Sequence, residues 1–186
     1  MQFYFISNGV KADPNKIKAI LDMPEPQNVN EVQCVVGMVT YLSKFLPNLS
    51  ELCEPLRRLT RKGETFEWKD EQKNAYTTIK QKIVTTPILK YYDVSQPVKI
   101  ETDASGIGLG AVLLQNDQPI MYASRALTDT EKKYAQIEKE CLSIVHASTR
   151  FDQYVENQML LWKPIISHSF IFSIVHCPVH QNGCNE

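Results

Sequence analysis

Two carboxylates stand out by type and placement. Asp103 closes the run Val98-Lys99-Ile100-Glu101-Thr102-Asp103, and Glu140 lies in Glu138-Lys139-Glu140-Cys141-Leu142-Ser143-Ile144. Apolar and polar residues alternate in the first run, the period-two signal of a half-buried strand. Ala104-Ser105-Gly106 is turn chemistry, and 107–114 is a second apolar run whose glycines permit close backbone approach. Asp103 is therefore expected at the exit of a sheet strand, where it either caps the turn or offers a hard divalent cation a ligand on a rigid support. Glu140 is expected on the helix that follows. Hydrolysis of a phosphodiester by two divalent ions needs several carboxylates around metals roughly 3.5–4 Å apart. One ion activates the attacking water and the other stabilises the leaving oxygen. Two carboxylates fall short of that set, so a complete site needs further Asp or Glu from later elements.

The elements that must position this pair can be read in order. Residues 2–6 form a strand and Ser7-Asn8-Gly9 a turn, a lone strand that suggests a piece of something longer. Asp13-Pro14 starts a helix with Ile17, Ile20 and Leu21 on one face, and Pro24 and Pro26 end it. A second helix begins near Asn30, with Gln33 closing a capping box. Its stripe is Val32, Val35, Val36, Val39, Leu42, Phe45 and Leu46, stopped by Pro47. A third helical segment, 50–61, is interrupted at Pro55 and ends in Arg57, Arg58, Arg61 and Lys62. A fourth helix spans 70–84 with Ala75, Ile79 and Ile83 inward, and Lys69 stands where a Ser or Thr cap is usual. After the hairpin comes a third strand, 119–124. Thr128 and Glu131 then form a capping box, opening a helix to about 154 that turns Tyr134, Ile137, Cys141, Ile144, Val145 and Ala147 inward. The class is α+β: a helical segment followed by a partial sheet of three antiparallel strands with one long helix.

Bulk properties narrow the setting. A chain of 186 residues with 43% apolar content can bury a core, which excludes global disorder. A net charge of −1 gives no overall pull toward nucleic acid, so any basic surface must be local. Of five cysteines, Cys34, Cys53 and Cys141 fall in apolar helical patterns and read as buried free thiols of a reducing compartment. No charged-then-apolar leader is seen. The apolar stretch near the C-terminus is broken by Lys163, Pro164, Ser167 and His168, so no membrane span is expected. The location expected is intracellular, cytoplasm or nucleus.

Thr102-Asp103-Ala104-Ser105, the Gly108-Leu109-Gly110-Ala111-Val112-Leu113-Leu114-Gln115 run, Ala123-Ser124-Arg125-Ala126-Leu127, and 134–142 (YAQIEKECL) together resemble the ribonuclease H region of gypsy-type LTR retrotransposon Pol polyproteins. Residues 37–48 (GMVTYLSKFLPN), Pro55-Leu56 and Phe66-Glu67-Trp68 are similar to the thumb and connecting segment of reverse transcriptases. The resemblance implies four parts: 1–10, the end of a palm strand; 11–92, thumb and connection helices; 93–156, the N-terminal part of the ribonuclease H-like domain; and 157–186, a divergent tail. The implied family activity is RNA-directed DNA synthesis with Mg2+-dependent hydrolysis of RNA in RNA/DNA hybrids. The implied partners are an RNA/DNA hybrid or primer-template duplex and the remainder of the Pol polyprotein.

Residue by residue, the resemblance makes Asp103 the first catalytic aspartate and Glu140 the glutamate of the first helix, both metal ligands. Glu138, two residues away, points off another helix face, and Glu101 shares Asp103's strand face as a supporting group only. Gln33, Gly37 and Tyr41 line one helix face. In retroviral relatives such a helix tracks the minor groove, the glycine allowing close approach and the aromatic giving a flat contact; packing against a neighbouring helix is the alternative. Arg57, Arg58 and Arg61 either meet phosphates or complement the dipole of a solvated helix end, the second reading being favoured.

The departures from the family are large. Polymerase fingers and palm are absent. Where a Thr-Asp-His motif would follow Tyr154, the chain has Val155-Glu156-Asn157-Gln158-Met159, and the fourth aspartate with its histidine is missing too. The chain is therefore expected to be catalytically incomplete, a truncated form of the parent. His176, Cys177, His180 and Cys184 could be zinc ligands, but a frameshifted or intron-read tail explains them better. Two alternatives stay open: a non-catalytic nucleic-acid-binding module, and a domesticated interaction protein.

Overall fold

The computed structural model describes residues 3–155 and 160–164. Strands β1 (Phe3–Ile6) and β2 (Gly9–Ala12) form an antiparallel hairpin. The N-terminal strand is thus not alone; its partner is too short for alternation to show in sequence. Helix α1 (Pro14–Leu21) is capped by the Asp13 carboxylate, which accepts from the Asn15 amide at 2.8 Å. Helix α2 (Val29–Tyr41) starts earlier than expected. Asn28 accepts from the Glu31 amide at 3.0 Å, and its own amide donates to the Glu31 carboxylate at 2.7 Å. Glu31, not Gln33, therefore closes the box, which leaves Gln33 on the open face.

The stripe of α2 runs on through a 3-10 turn (Ser43–Phe45) that buries Leu42, Phe45 and Leu46. Short helices α3 (Leu49–Leu52) and α4 (Glu54–Arg58) follow; the break falls at Cys53, and Pro55 sits in the first turn of α4, where its missing N–H costs nothing. Helix α5 (Asp70–Val84) has the expected bounds. The Gln72 side chain accepts from the Lys69 amide at 3.2 Å and so replaces the missing Ser or Thr cap. Tyr76, more than Ala75, anchors α5: it is buried, and its hydroxyl lies 2.9 and 3.0 Å from the Met23 and Pro24 carbonyls.

Strands β3 (Val98–Ala104), β4 (Gly108–Gln115) and β5 (Gln118–Ala126) are antiparallel neighbours. Strand β6 (Leu160–Pro164) adds to β3 in parallel, giving the order β5-β4-β3-β6. The sheet therefore has a fourth strand, drawn from the stretch expected to be a divergent tail. Thr128 and Glu131 do form a capping box, but it caps only a 3-10 turn (Glu131–Lys133); helix α6 (Gln136–Val155) starts after it.

The inward face of α6 also differs from the expected one. Lys139, Ser143, Ala147, Phe151 and Val155 are buried, whereas Ile137 and Val145 are 59% and 60% exposed and Tyr134 and Cys141 are also outward. Two positions on a helix is about half a turn. Ala147 and Phe151 fix the register against Val98, Ile100 and Leu113, and small Ser143 and Ala147 let the helix approach the sheet. The expected burial of Cys34 and Cys141 fails likewise; both are exposed, and of the described cysteines only Cys53 is buried.

A second core lies among α1 to α5, with Val35, Leu42, Phe45, Leu56 and Ile83 at its centre. The helical part docks on the sheet through polar contacts: Ser50 N–H donates to Ser124 Oγ at 3.1 Å, and buried Glu54 pairs with Arg61 at 2.9 Å and Lys132 at 3.3 Å. Among the described residues no helix is long and apolar enough to cross a membrane. The tail motif of His176, Cys177, His180 and Cys184, and the strand-like stretch at 165–175, lie outside the described residues.

Candidate metal centre and nucleic-acid face

Asp103 stands at the C-terminal end of β3, as its position before a turn requires. The turn is organised by Ser105, whose hydroxyl accepts from Gly108 N at 3.0 Å and Ile107 N at 3.3 Å. Asp103 is not needed as its cap. The Asp103 side chain is exposed and has no hydrogen bond or ion pair among the described residues, which fits a carboxylate free to meet a cation.

Strand alternation decides where it faces. Val98, Ile100, Thr102 and Ala104 are buried, the first two against Ala147 and Phe151 of α6. Asp103 therefore leaves from the other side of the sheet, where it lines a small cavity with Asn48, Ser50 and Gly110. Glu140 comes to the same strand end from the α6 side. Gln136 Nε2 donates to the Ala104 carbonyl at 2.8 Å and lies 3.5 Å from Glu140 Oε1. Both carboxylates thus reach one end of β3, but from opposite faces. Gln136 was not singled out from the sequence; its position four before Glu140, on one helix face, is the signal that would have found it.

Their neighbours have other tasks. Glu138 accepts from Ala135 N at 2.7 Å and caps α6. Glu101 pairs with Lys99 at 2.9 Å. The described residues contain no group of three or more His, Cys, Asp or Glu able to hold a metal, and the Leu160-Leu161-Trp162-Lys163-Pro164 sequence of β6 carries no acid. Hard oxygen ligands suit magnesium; two of them fit one weakly held ion better than a two-ion centre.

The α2 face is open. Gln33 and Gly37 are exposed, and a Cβ built on Gly37 meets nothing within 4 Å. Gly37 is thus not a helix-packing residue. Tyr41 is half-buried and stacks on Phe3, ring centroids 6.2 Å apart. The basic cluster is less available: Arg61 pairs with Glu54, and Arg58 pairs with Glu71, which also raises the Arg58 pKa. Arg57 lies on the same short helix with no ion pair among the described residues. A stronger polar unit is Arg125 with Glu131, bonded at 2.9 and 3.0 Å. The Arg125 guanidinium and the Thr128 amide hold the Glu131 carboxyl down to about 2. Burial pushes the Cys53 thiol up to about 11, with Arg57 offsetting part of the rise.

A sheet of this order with its helix crossing between β5 and β6, preceded by packed helices, defines a ribonuclease H-like unit joined to a helical segment. The profile of the RNase H-like domain found in reverse transcriptase matches residues 68–161. The Retrovirus-related Pol polyprotein from transposon 297 of Drosophila melanogaster is 37% identical over 155 residues, 83% of this chain and 15% of that protein. The Transposon Tf2-3 polyprotein of Schizosaccharomyces pombe is 30% identical over 171 residues, 89% of this chain and 13% of that protein. The foamy viral protease-reverse transcriptase, solved with double-stranded DNA and with RNA/DNA hybrid, superposes with TM-score 0.78 in each case at 23% identity. These matches cover 89% of this chain and 30% and 23% of those chains. The chain belongs to the RNase H-like domain family of reverse transcriptases and corresponds to the reverse transcriptase/ribonuclease H region of retrotransposon Pol polyproteins. It spans about one seventh of the length of these curated relatives.

Proposed function

We propose that this chain seats an RNA/DNA hybrid or primer-template duplex along the α2 face and is by itself incomplete as a nuclease. The observation that carries the reading is Gly37: a glycine at an exposed position inside a helix, with open space over it and Gln33 and Tyr41 on either side. Such a glycine costs helix stability, and a close backbone approach to a sugar edge is a use that accounts for it. Tyr41, held by Phe3, offers a flat edge, and Gln33 a donor and an acceptor. The neighbours solved with duplexes support this reading.

Asp103 and Glu140 are the residues that would hold magnesium, which would supply an activated water when bound. Gln136 donates to the Ala104 carbonyl and lies 3.5 Å from the Glu140 carboxylate, and Asp103 has no ion pair among the described residues. Two carboxylates arriving from opposite faces do not fix two ions, so cleavage in the parent protein would draw on further acids of the longer polyprotein. Location inside the cell, cytoplasm or nucleus, belongs to the same proposal. The test is an electrophoretic shift of a labelled hybrid across a salt series. Binding should weaken as salt rises, and Gln33→Ala and Tyr41→Ala should each reduce affinity about fivefold or more. A shift unaffected by both substitutions would contradict the proposal.

A further inference from the structure

A cavity of about 200 Å³ lies where the β1–β2 hairpin, the 3-10 turn after α2, the segment 89–92 and β5 meet. Its wall is aromatic and aliphatic, with Phe3, Phe45, Tyr92, Ile120, Met121 and Tyr154. Backbone bonds between distant parts of the chain hold its frame. Val10 and Leu89 exchange N–H···O bonds of 2.7 and 3.0 Å, and the Lys90 amide donates to the Pro119 carbonyl at 2.8 Å. The tyrosine hydroxyls are tied to backbone as well: Tyr91 donates to the Ile6 carbonyl and Tyr92 to the Tyr154 carbonyl, each at 2.8 Å. What these residues add to the lining is therefore ring surface. Phe5 stacks on Tyr91, centroids 6.4 Å apart, and this pair at the rim stays 71% and 46% exposed. Water finds too few partners in such a space; an apolar cavity of about 150 Å³ stays dry and takes a benzene-sized ring. The larger volume here suits one or two fused rings, which would also cover part of the Phe5–Tyr91 surface.

Charge selects among apolar occupants. Lys44 and Lys90 line the cavity and no Asp or Glu does. Neither lysine has an ion pair among the described residues. Lys44 Nζ lies 5.7 Å from the centroid of the Phe3 ring, which puts its charge at the aromatic wall. A neutral ring would fill the space and leave both ammonium groups without a counter-charge. A ring bearing a carboxylate or sulfonate fills it and accepts charge-assisted hydrogen bonds from them. We propose that this cavity binds a small planar aromatic anion, its ring system against Phe3, Phe45 and Met121 and its acidic group on Lys44 and Lys90. The site uses none of Gln33, Gly37, Tyr41, Asp103 and Glu140, so it stands independently of duplex binding and of hydrolysis.

The test is a calorimetric titration of the full 186-residue chain with 2-naphthoate and with its neutral counterpart 2-naphthamide, and methionine methyl NMR signals serve as a second readout. Naphthoate should fill one saturable site, and naphthamide should bind about fivefold more weakly or worse. The Met121 methyl signal should shift, whereas Met23 and Met38, which pack on the helical core, should not move. Lys44 and Lys90 are exposed, so their substitution leaves the fold in place. Lys44→Gln and Lys90→Gln should each weaken naphthoate about threefold, and the double variant about tenfold, with naphthamide changed less than about twofold. No saturable binding of naphthoate at millimolar concentration would overturn the proposal. So would equal affinity for acid and amide, or binding that leaves the Met121 methyl signal unmoved.

Discussion

Gly37→Ala separates the structural from the functional reading of α2, because the two effects have opposite signs. Gly37 lies inside a 13-residue helix, is exposed, and would place an added Cβ in open space. Alanine is therefore free of strain there. It should stabilise the protein by about 0.5–1 kcal/mol, through helix propensity and a less flexible unfolded chain. For a chain of this size that is a rise of roughly 1–4 °C in melting temperature. If the duplex backbone comes against Gly37, the same methyl group obstructs it. Overpacking of a close contact costs about 1–2 kcal/mol, a loss of roughly five- to thirty-fold in hybrid affinity. Melting by circular dichroism and a fluorescence-anisotropy titration with labelled hybrid give both numbers from one preparation. A lower melting temperature would show that Gly37 is held by packing. A higher melting temperature with unchanged affinity would remove the duplex from this face.

Other consequences follow from the geometry. Glu131 has a folded-state pKa of about 2 against an ordinary 4.5, so its contribution to stability is complete above about 4.5 and is lost as pH falls toward 2. With Arg125 about a third exposed, that contribution is about 1–2 kcal/mol, and urea unfolding of Glu131→Gln should show the difference at pH 6 but little of it near pH 2. Gly9 has φ +145° and would drive a Cβ to 2.0 Å from the Leu89 carbonyl oxygen, so Gly9→Ala should cost about 3 kcal/mol or more, read as a lower urea midpoint. Thiol labelling mapped by mass spectrometry should mark Cys34 and Cys141 in the native protein, and Cys53 only after unfolding, since it is buried with its thiol pushed up to about 11.

Much of the fold is written in local chemistry. Asp13-Pro14 and the 70–84 periodicity specify α1 and α5, and alternation in 98–103 places Asp103 at a strand end. What was not legible depends on distant partners. The capping box at Thr128 is genuine, yet tertiary context stops its helix after one turn. The apolar count along α6 chose Ile137 and Val145, while packing against Ile100 and Leu113 chose Ala147 and Phe151, and with them small Ser143 and long Lys139. Strand β6 has no alternation to announce it and forms by pairing with β3. Alternation sets Asp103 opposite Val98 and Ile100, but which face α6 covers is decided by packing, so the separation of Asp103 from Glu140 was not legible; Asn48 and Ser50, which line the cavity beside Asp103, sit more than fifty residues upstream, where no local pattern could link them to it.

On the proposed function, this chain offers a duplex face and two carboxylates but not a working nuclease. The most direct measurement incubates the purified 186-residue protein with a hybrid labelled at the 5′ end of its RNA strand, in magnesium and then in manganese, and resolves the products on a denaturing gel. The RNA should stay intact at protein concentrations that fully shift the hybrid. Metal-dependent RNA fragments that vanish with Asp103→Asn would contradict it.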